Sequence, residues 1–353
     1  MEHVTLNRHI IPQSDTLLDA LHRLNEFSGQ VMTLLAVDAD MRLTGTLTDG
    51  DVRRALINGS QLTSPISEAM HRDFRYMEAG CHDVAKLSGF RRAGYMLIPV
   101  LDSDGTISTV IDMTRTSTRL PMSAILMAGG KGERLRPLTL TTPKPLLEID
   151  GKPIIDYNVE ALAAVGITDI TVTTRYLAHM LHSHFSQPVA GIKVKCMEES
   201  QPLGTIGAVS MLEHKCPGTT LVMNADLLTD ISFEDMYLRH IAEKADITVA
   251  SLPYSISVPY AILATEGATV TALEEKPTYS YYANAGIYMI SNSLLASIPE
   301  GRRTDATDLI EDAITAGKRV VYFPINGTWI DIGSPADFRH AQELMRHARN
   351  LRK

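Results

Sequence analysis

Three glycines, Gly129, Gly130 and Gly132, follow the apolar run Ala124–Met127, and three cations, Lys131, Arg134 and Arg136, are interleaved with them. Glycine lets backbone N–H groups approach an anion that a Cβ would hold off. The order is not that of a Walker loop, because Gly132 is followed by Glu133 rather than by Lys and a hydroxyl residue. Nor is it a dinucleotide loop, which would want Gly or Ala where Leu135 stands. A tight exposed turn would need no such density of cations. A further lysine, Lys144, lies between Pro143 and Pro145, so it sits on a stiffened segment. Local positive charge of this kind suits a polyphosphate. Two carboxylates are placed at the ends of short apolar runs: Asp226 after Leu221–Met223, and Asp331 after Thr328–Ile330. An aspartate in that position is ordinarily a turn former or helix cap, and two together could instead hold a hard cation. No Ser-His-Asp or Cys-His arrangement stands out, so covalent nucleophilic catalysis is not indicated.

The stretch Gly129-Gly130-Lys131-Gly132-Glu133-Arg134-Leu135-Arg136-Pro137-Leu138-Thr139, followed by Pro143-Lys144-Pro145, resembles the N-terminal motif of the sugar-phosphate nucleotidylyltransferases. Further motifs follow in that family's order: Pro202-Leu203-Gly204-Thr205, Asn224-Ala225-Asp226, Glu275-Lys276-Pro277, Asn284-Ala285-Gly286-Ile287-Tyr288 and Trp329-Ile330-Asp331-Ile332-Gly333. The resemblance implies a Rossmann-like (GT-A-like) α/β domain with a mostly parallel central sheet. It also implies transfer of a nucleotidyl group from a nucleoside triphosphate to a sugar 1-phosphate, with release of pyrophosphate. By resemblance, Arg134 and Lys144 face the triphosphate and the departing pyrophosphate, while Asp226 and Asp331 hold Mg2+. The backbone of Leu126, Ala128, Gly129, Gly130 and Gly132, with Glu199 and Gly204, would meet the nucleotide. Glu275, Lys276 and Asn284 would meet the sugar phosphate; read alone, Glu-Lys-Pro is a solvated strand end. Trp329 reads as structural support for Asp331. Glu133 departs from the family pattern, which carries Thr or Ser there in many members. The subgroup most resembled is the guanylyltransferases that activate an amino sugar such as glucosamine 1-phosphate in legionaminic-acid-type pathways. Mannose 1-phosphate as acceptor, and thymidylyl or uridylyl transfer, stay open, as does a non-catalytic nucleotide-sensing assembly protein.

The N-terminal third is a repeat. Asp15–Phe27 has helical apolar spacing, Thr33–Val37 and Leu43–Leu47 read as strands, and Gly50–Asn58 reads as a second helix closed by Gly59. A shorter copy runs through a helix at His82–Phe90 and strands at Met96–Leu101 and Thr106–Ile111. The pair, with Gly45-Thr46-Leu47-Thr48-Asp49-Gly50-Asp51, resembles a tandem CBS module of α+β type. The resemblance gives Thr48 and Asp51 the ribose of an adenine nucleotide. The second copy departs from it, with Ile111 where the aspartate is expected. A packing or dimerisation role with an ordinary helix cap at Thr48 or Asp49 is the alternative.

These groups must be positioned by alternating strands and helices, as an α/β layer architecture provides. Ala124–Met127, Ile154–Val165, Ile170–Thr173, Leu177–Phe185, Ile192–Cys196 and Leu221–Met223 alternate in this way, and the loops after strands are where ligands bind in such sheets. The expected division is a regulatory module over 1–118 and a catalytic domain over 119–353, with a linker at Thr114–Ser123. A final helix at Ala336–Arg346 leaves no room for the C-terminal β-helix of some relatives. The net charge of -8 argues against nucleic acid, and no long apolar run suits a membrane. Three scattered cysteines, Cys81, Cys196 and Cys216, fit neither a disulfide framework nor a zinc site, so a reducing cytoplasm is expected. His179, His182 and His184 read as a solvated helix face rather than a metal cluster, and the 16 methionines as gap fillers. A homo-oligomer is expected from the CBS resemblance.

Overall fold

The computed structural model describes residues 6–27, 31–80, 83–114, 119–212 and 218–351. The chain forms two compact units, Met1–Thr118 and Arg119–Lys353. Among the described residues, no helix is long and apolar enough to cross a membrane.

In the first unit, two three-stranded sheets share one pairing pattern. Ile10–Pro12 lies parallel to Thr33–Val37, which pairs antiparallel with Leu43–Thr48. Likewise Met77–Glu78 lies parallel to Leu97–Leu101, which pairs antiparallel with Ile107–Asp112. Both antiparallel pairs shift register near one end, at Ala36/Val37 and at Val100/Leu101. The helix Leu17–Asn25 starts where the Thr16 hydroxyl accepts the Asp19 N–H and the Asp19 carboxylate reaches back, a reciprocal cap that trims the expected start at Asp15. Asp83 caps Val84–Arg92; the expected start at His82 lies outside the described residues, as do Cys81 and Cys216. Leu17, Leu24, Leu34, Leu47 and Val52 form the first copy's core.

The second unit is built on a seven-stranded sheet. Its elements are β1 (Ser123–Ala128), α1 (Ile154–Ala164), β2 (Ile170–Thr174), α2 (Ala178–His184), β3 (Lys195–Glu198) and β4 (Thr219–Asn224). They continue with β5 (Leu227–Thr229), α3 (Phe233–Ala242), β6 (Ile247–Ser257), β7 (Thr278–Ser291), α4 (Ala306–Thr315), β8 (Val320–Pro324), β9 (Trp329–Asp331) and α5 (Pro335–Leu351). The order across the sheet is β3-β2-β1-β4-β7-β6-β8. Strands β3, β2, β1 and β4 are mutually parallel, β7 runs antiparallel to β4 and β6, and β8 is parallel to β6. The sheet is therefore mostly parallel, and the α/β expectation is met. Strands β1, β2 and β4 are buried along nearly their whole length, as strands covered on both faces are, whereas the edge strand β3 is exposed at both ends. β2, for instance, is buried at every position.

Strand β1 sits between β2 on one side and β4 on the other, so the chain leaves it in both directions across the sheet. Such a reversal opens a crevice beyond the strands' carboxyl ends. Residues 119–122, expected within a linker, belong to this unit. Leu120 is buried, and its N–H donates to the Val165 carbonyl at 2.9 Å. β3 begins at Lys195 rather than Ile192, because Ile192 turns back to pair with Val189.

Candidate active site

Every parallel strand delivers a polar group at its carboxyl end. β1 runs into Gly129, Gly130, Gly132 and Arg134, Arg175 follows β2, Glu199 follows β3, and Asn224 ends β4 with Asp226 just beyond it. These residues line one cavity of about 740 Å3, together with Lys144, Gly204, Thr205, Arg303 and Asp331.

The glycine loop is shaped by close packing. Gly132 has φ of +60°, a conformation that L side chains rarely adopt, and a Cβ there would stand 3.0 Å from Thr139 Cγ2 and 3.2 Å from Lys144 Cβ. Thr139 is fully buried and donates its hydroxyl to the Gly132 carbonyl at 2.8 Å. Tyr176 in turn donates to the Thr139 carbonyl at 2.9 Å. Leu135 anchors the loop from below, in an apolar cluster with Ile154 of α1, Leu228 of β5, Ile330 of β9 and Ala341 of α5. The same cluster therefore fixes the glycine loop, the strand β5 that follows Asp226 and the strand β9 that carries Asp331.

Asp226 and Asp331 are neighbours because β5 and β9 form an antiparallel ribbon in which Leu227 pairs with Asp331. The buried Asn158 of α1 donates to the carbonyls of Ala225 at 3.4 Å and Leu227 at 3.0 Å, clamping the backbone on both sides of Asp226. Trp329 donates its indole N–H to the Ala285 carbonyl at 2.9 Å, tying β9 to β7. Lys144, buried on its proline-flanked turn, forms an ion pair with Asp226 and a second with Asp331 at 3.2 Å. Burial pushes the Asp226 carboxyl above its ordinary range; Lys144 opposes that shift and Asp331 adds to it. Among the described residues, Asp226 Oδ1 is the one buried side-chain oxygen or nitrogen with no hydrogen-bond partner.

That orphaned oxygen bears on whether a metal fits. Two carboxylates on adjacent strands, one with a buried oxygen left free, match the hard oxygen donors Mg2+ takes. Among the described residues, no group of three or more His, Cys, Asp or Glu could hold a metal, so the protein alone does not cage one. Mg2+ characteristically completes its shell with substrate phosphates and water, and two carboxylates are enough on those terms.

Glu199 is 7% exposed and flanks the cavity beside Gly129. A Cβ on Gly129 would lie 2.9 Å from Glu199 Oε1, so the glycine makes room for the carboxylate. Burial raises the pKa of Glu199; the Leu203 N–H, Arg175 and Thr173 lower it less. Gly204 has φ of +81°, and a Cβ there would stand 2.5 Å from the Thr304 carbonyl oxygen. Next to it, the Thr205 N–H donates to Asp305 at 2.9 Å, and the Ala306 N–H donates to the Thr205 hydroxyl at 2.7 Å.

Of the residues singled out from sequence, Arg134, Lys144, Asp226, Asp331, Ala128, Gly129, Gly130, Gly132, Glu199 and Gly204 share this cavity. Leu126 does not and is corrected here. It is 0% exposed at mid-strand, paired with Val172 on one side and Met223 on the other, so the lining begins at Met127. Glu275, Lys276 and Asn284 are likewise absent from the lining and are exposed. Asn284 Oδ1 instead accepts the Gly286 N–H at 2.9 Å. Arg175 and Arg303 line the cavity and were missed. Arg175 could have been found as the cation directly after β2, whereas nothing local marks Arg303. Glu133 is exposed at the cavity rim and pairs with Arg136 at 3.6 Å. In the first unit, Thr48 and Asp51 form the reciprocal cap of the helix Asp49–Ile57, and Asp51 also pairs with Arg54. Two of the three histidines of α2 have protein partners: His184 meets Asp156 at 2.6 Å and His182 meets Thr174 at 3.1 Å.

Residues 123–347 match the family model described as nucleotidyl transferase. A protein named probable mannose-1-phosphate guanylyltransferase 2, of Arabidopsis thaliana, is 34% identical over 230 residues, covering 62% of this chain and 63% of its own length. Mannose-1-phosphate guanyltransferase beta-A of Xenopus laevis is 31% identical over 226 residues, covering 62% of each. The chain thus spans less than two thirds of the length of these relatives. Among solved structures, HddC from Yersinia pseudotuberculosis aligns with a TM-score of 0.50 at 23% identity, covering 64% of this chain and 99% of that one. That likeness is one of fold. The chain belongs to the nucleotidyl transferase family.

Proposed function

We propose that this member of the nucleotidyl transferase family joins a nucleoside triphosphate, GTP foremost, to a sugar 1-phosphate and releases pyrophosphate. The observation that carries the reading is the convergence of the glycine loop, Arg134, Lys144, Asp226 and Asp331 on one cavity at the sheet's reversal point. An oxygen of the sugar phosphate attacks the α-phosphorus, and the bond from that phosphorus to the oxygen bridging to the β-phosphate breaks. The electron pair leaves with pyrophosphate. Both reactants are anions, so the rate depends on cations around the phosphates and on in-line alignment. Backbone N–H groups of Gly129–Gly132 hold the triphosphate, and Arg134 and Arg175 flank it. Asp226 and Asp331 would hold Mg2+, which supplies charge neutralisation at the reacting phosphates. Arg303 is the cation of the lining we assign to the sugar phosphate, with Lys276 and Glu275 outside it.

Glu199 supports a guanine base. An ionised carboxylate only accepts hydrogen bonds, and guanine offers two adjacent donors, N1–H and the N2 amino group. Uracil and thymine offer one donor between two carbonyls, which a carboxylate repels. For the acceptor we keep an amino sugar such as glucosamine 1-phosphate, in a legionaminic-acid-type route. Mannose 1-phosphate is the alternative favoured by the names of the relatives. We read the first unit as a tandem CBS module that takes an adenine nucleotide at Thr48 and Asp51, with the ribose replacing contacts the helix cap now makes. Pyrophosphate release with Mg2+, across a panel of triphosphates and sugar 1-phosphates, tests the reading. GTP with one of the two named acceptors should be productive, whereas no release from any pair would leave the sensing, non-catalytic alternative.

A further inference from the structure

We propose that Lys144 is a resident cation that closes the Asp226–Asp331 pair, so that a divalent metal alone competes weakly for the site until a triphosphate draws the ammonium away. The inference rests on reading these two aspartates as the metal ligands. Lys144 Nζ already stands between the carboxylates, paired with Asp226 and 3.2 Å from Asp331. A dication bound to the same oxygens would have to take that place, because a second cation cannot share it without strong repulsion. The rest of Lys144 is held: Pro143 and Pro145 flank it, its carbonyl accepts the Leu147 N–H at 3.1 Å, and its Cβ packs on Gly132. Only the end of the side chain is free to move, and it lines the same cavity as the glycine loop. Phosphate oxygens seated on that loop would accept the ammonium as it leaves the aspartates. The orphaned Asp226 Oδ1 fits this picture, since the ammonium satisfies Oδ2 alone and leaves the carboxylate a second buried oxygen for the metal that replaces it. The arrangement gives an order of preference: the metal alone must displace the ammonium, and the metal with triphosphate meets an open site.

The test is Mn2+ binding without nucleotide, followed by electron paramagnetic resonance, for wild type and Lys144→Met. If the closed form outweighs the open one tenfold, the apparent metal affinity is reduced by that fraction, so the variant should bind Mn2+ roughly tenfold more tightly. Equal or weaker binding by a folded Lys144→Met protein, checked by circular dichroism, overturns the proposal. Should that variant not fold, acylation of wild-type Lys144 read by mass spectrometry decides the question. The side chain should be unreactive in the free protein and become reactive as Mn2+ fills the site; unchanged reactivity at saturating Mn2+ overturns it. Failure of the transferase reading would show as absent pyrophosphate release and leave these metal measurements standing, so the two failures are distinguishable.

Discussion

His240 on α3 offers a quantitative test of how the second unit is held together. It is 2% exposed, with Nδ1 at 2.8 Å from the Thr248 hydroxyl on β6 and Nε2 at 3.2 Å from the Thr219 hydroxyl on β4. Burial lowers its pKa from 6.5 to about 4, with Asp246 opposing weakly. The folded state therefore binds fewer protons than the unfolded one between those values. Stability from the neutral imidazole is complete above pH 6.5 and is lost as pH falls toward 4. At about 1.4 kcal/mol per pH unit, acidification from pH 6.5 to pH 5 costs wild type roughly 2 kcal/mol through this residue. His240→Leu leaves Thr219 and Thr248 without their partner, which costs about 1–3 kcal/mol at pH 8, but it removes the titration. The assay is urea unfolding across pH 5–8, followed by the fluorescence of Trp329, the chain's only tryptophan and a reporter for the second unit. The gap between the two proteins should narrow by roughly 2 kcal/mol from pH 6.5 to pH 5. Parallel pH curves would refute the argument.

Other substitutions address the site and the first unit. Asp226→Asn should lower turnover by roughly a hundredfold or more while circular dichroism stays unchanged, because the carboxylate proposed to hold the metal is lost; near-normal turnover would remove Asp226 from that role. Gly204→Ala should cost roughly 2–4 kcal/mol in urea unfolding, combining its left-handed backbone with a Cβ 2.5 Å from the Thr304 carbonyl; a change under half a kcal/mol would contradict the packing argument. Glu199→Gln should shift the ratio of GTP to UTP turnover toward UTP by roughly 5–150-fold, the worth of one bidentate base contact. An unchanged ratio would remove Glu199 from base selection. Thr48→Ala should cost about 1 kcal/mol through its cap and abolish any rise in melting temperature caused by adenine nucleotides. A rise that survives the substitution would place the nucleotide elsewhere.

What the sequence revealed of the site follows from how local each feature is. The glycine loop and the proline-flanked Lys144 are written in consecutive residues, and their geometry is set by those residues. The parallel sheet was legible for a similar reason, since short apolar runs alternating with helical spacing leave few other layer arrangements. The approach of Asp331 to Asp226 was not legible from the residues alone. It depends on a ribbon pairing strands about a hundred residues apart, whose register no local pattern states. Arg303 was missed on the same ground, for it reaches the cavity from the loop before α4. Glu275 and Lys276 show the converse. Their motif is local and intact, yet the loop carrying them, between Glu274 and Thr278, stands outside the cavity lining. In the first unit, the repeat and a helix cap at Thr48 were visible in the sequence, whereas the return of the Asp51 carboxylate to the cap appears only once the helix start is seen.

The proposed chemistry brings a sugar-phosphate oxygen onto the α-phosphorus of a triphosphate in this cavity. It is tested most directly with a sugar 1-phosphate whose non-bridging oxygens carry 18O, incubated with GTP, Mg2+ and the protein and analysed by mass spectrometry. A nucleotide sugar that retains the full label and pyrophosphate that carries none are expected. Label in the pyrophosphate, or no nucleotide sugar from any triphosphate and sugar 1-phosphate pair, would contradict it.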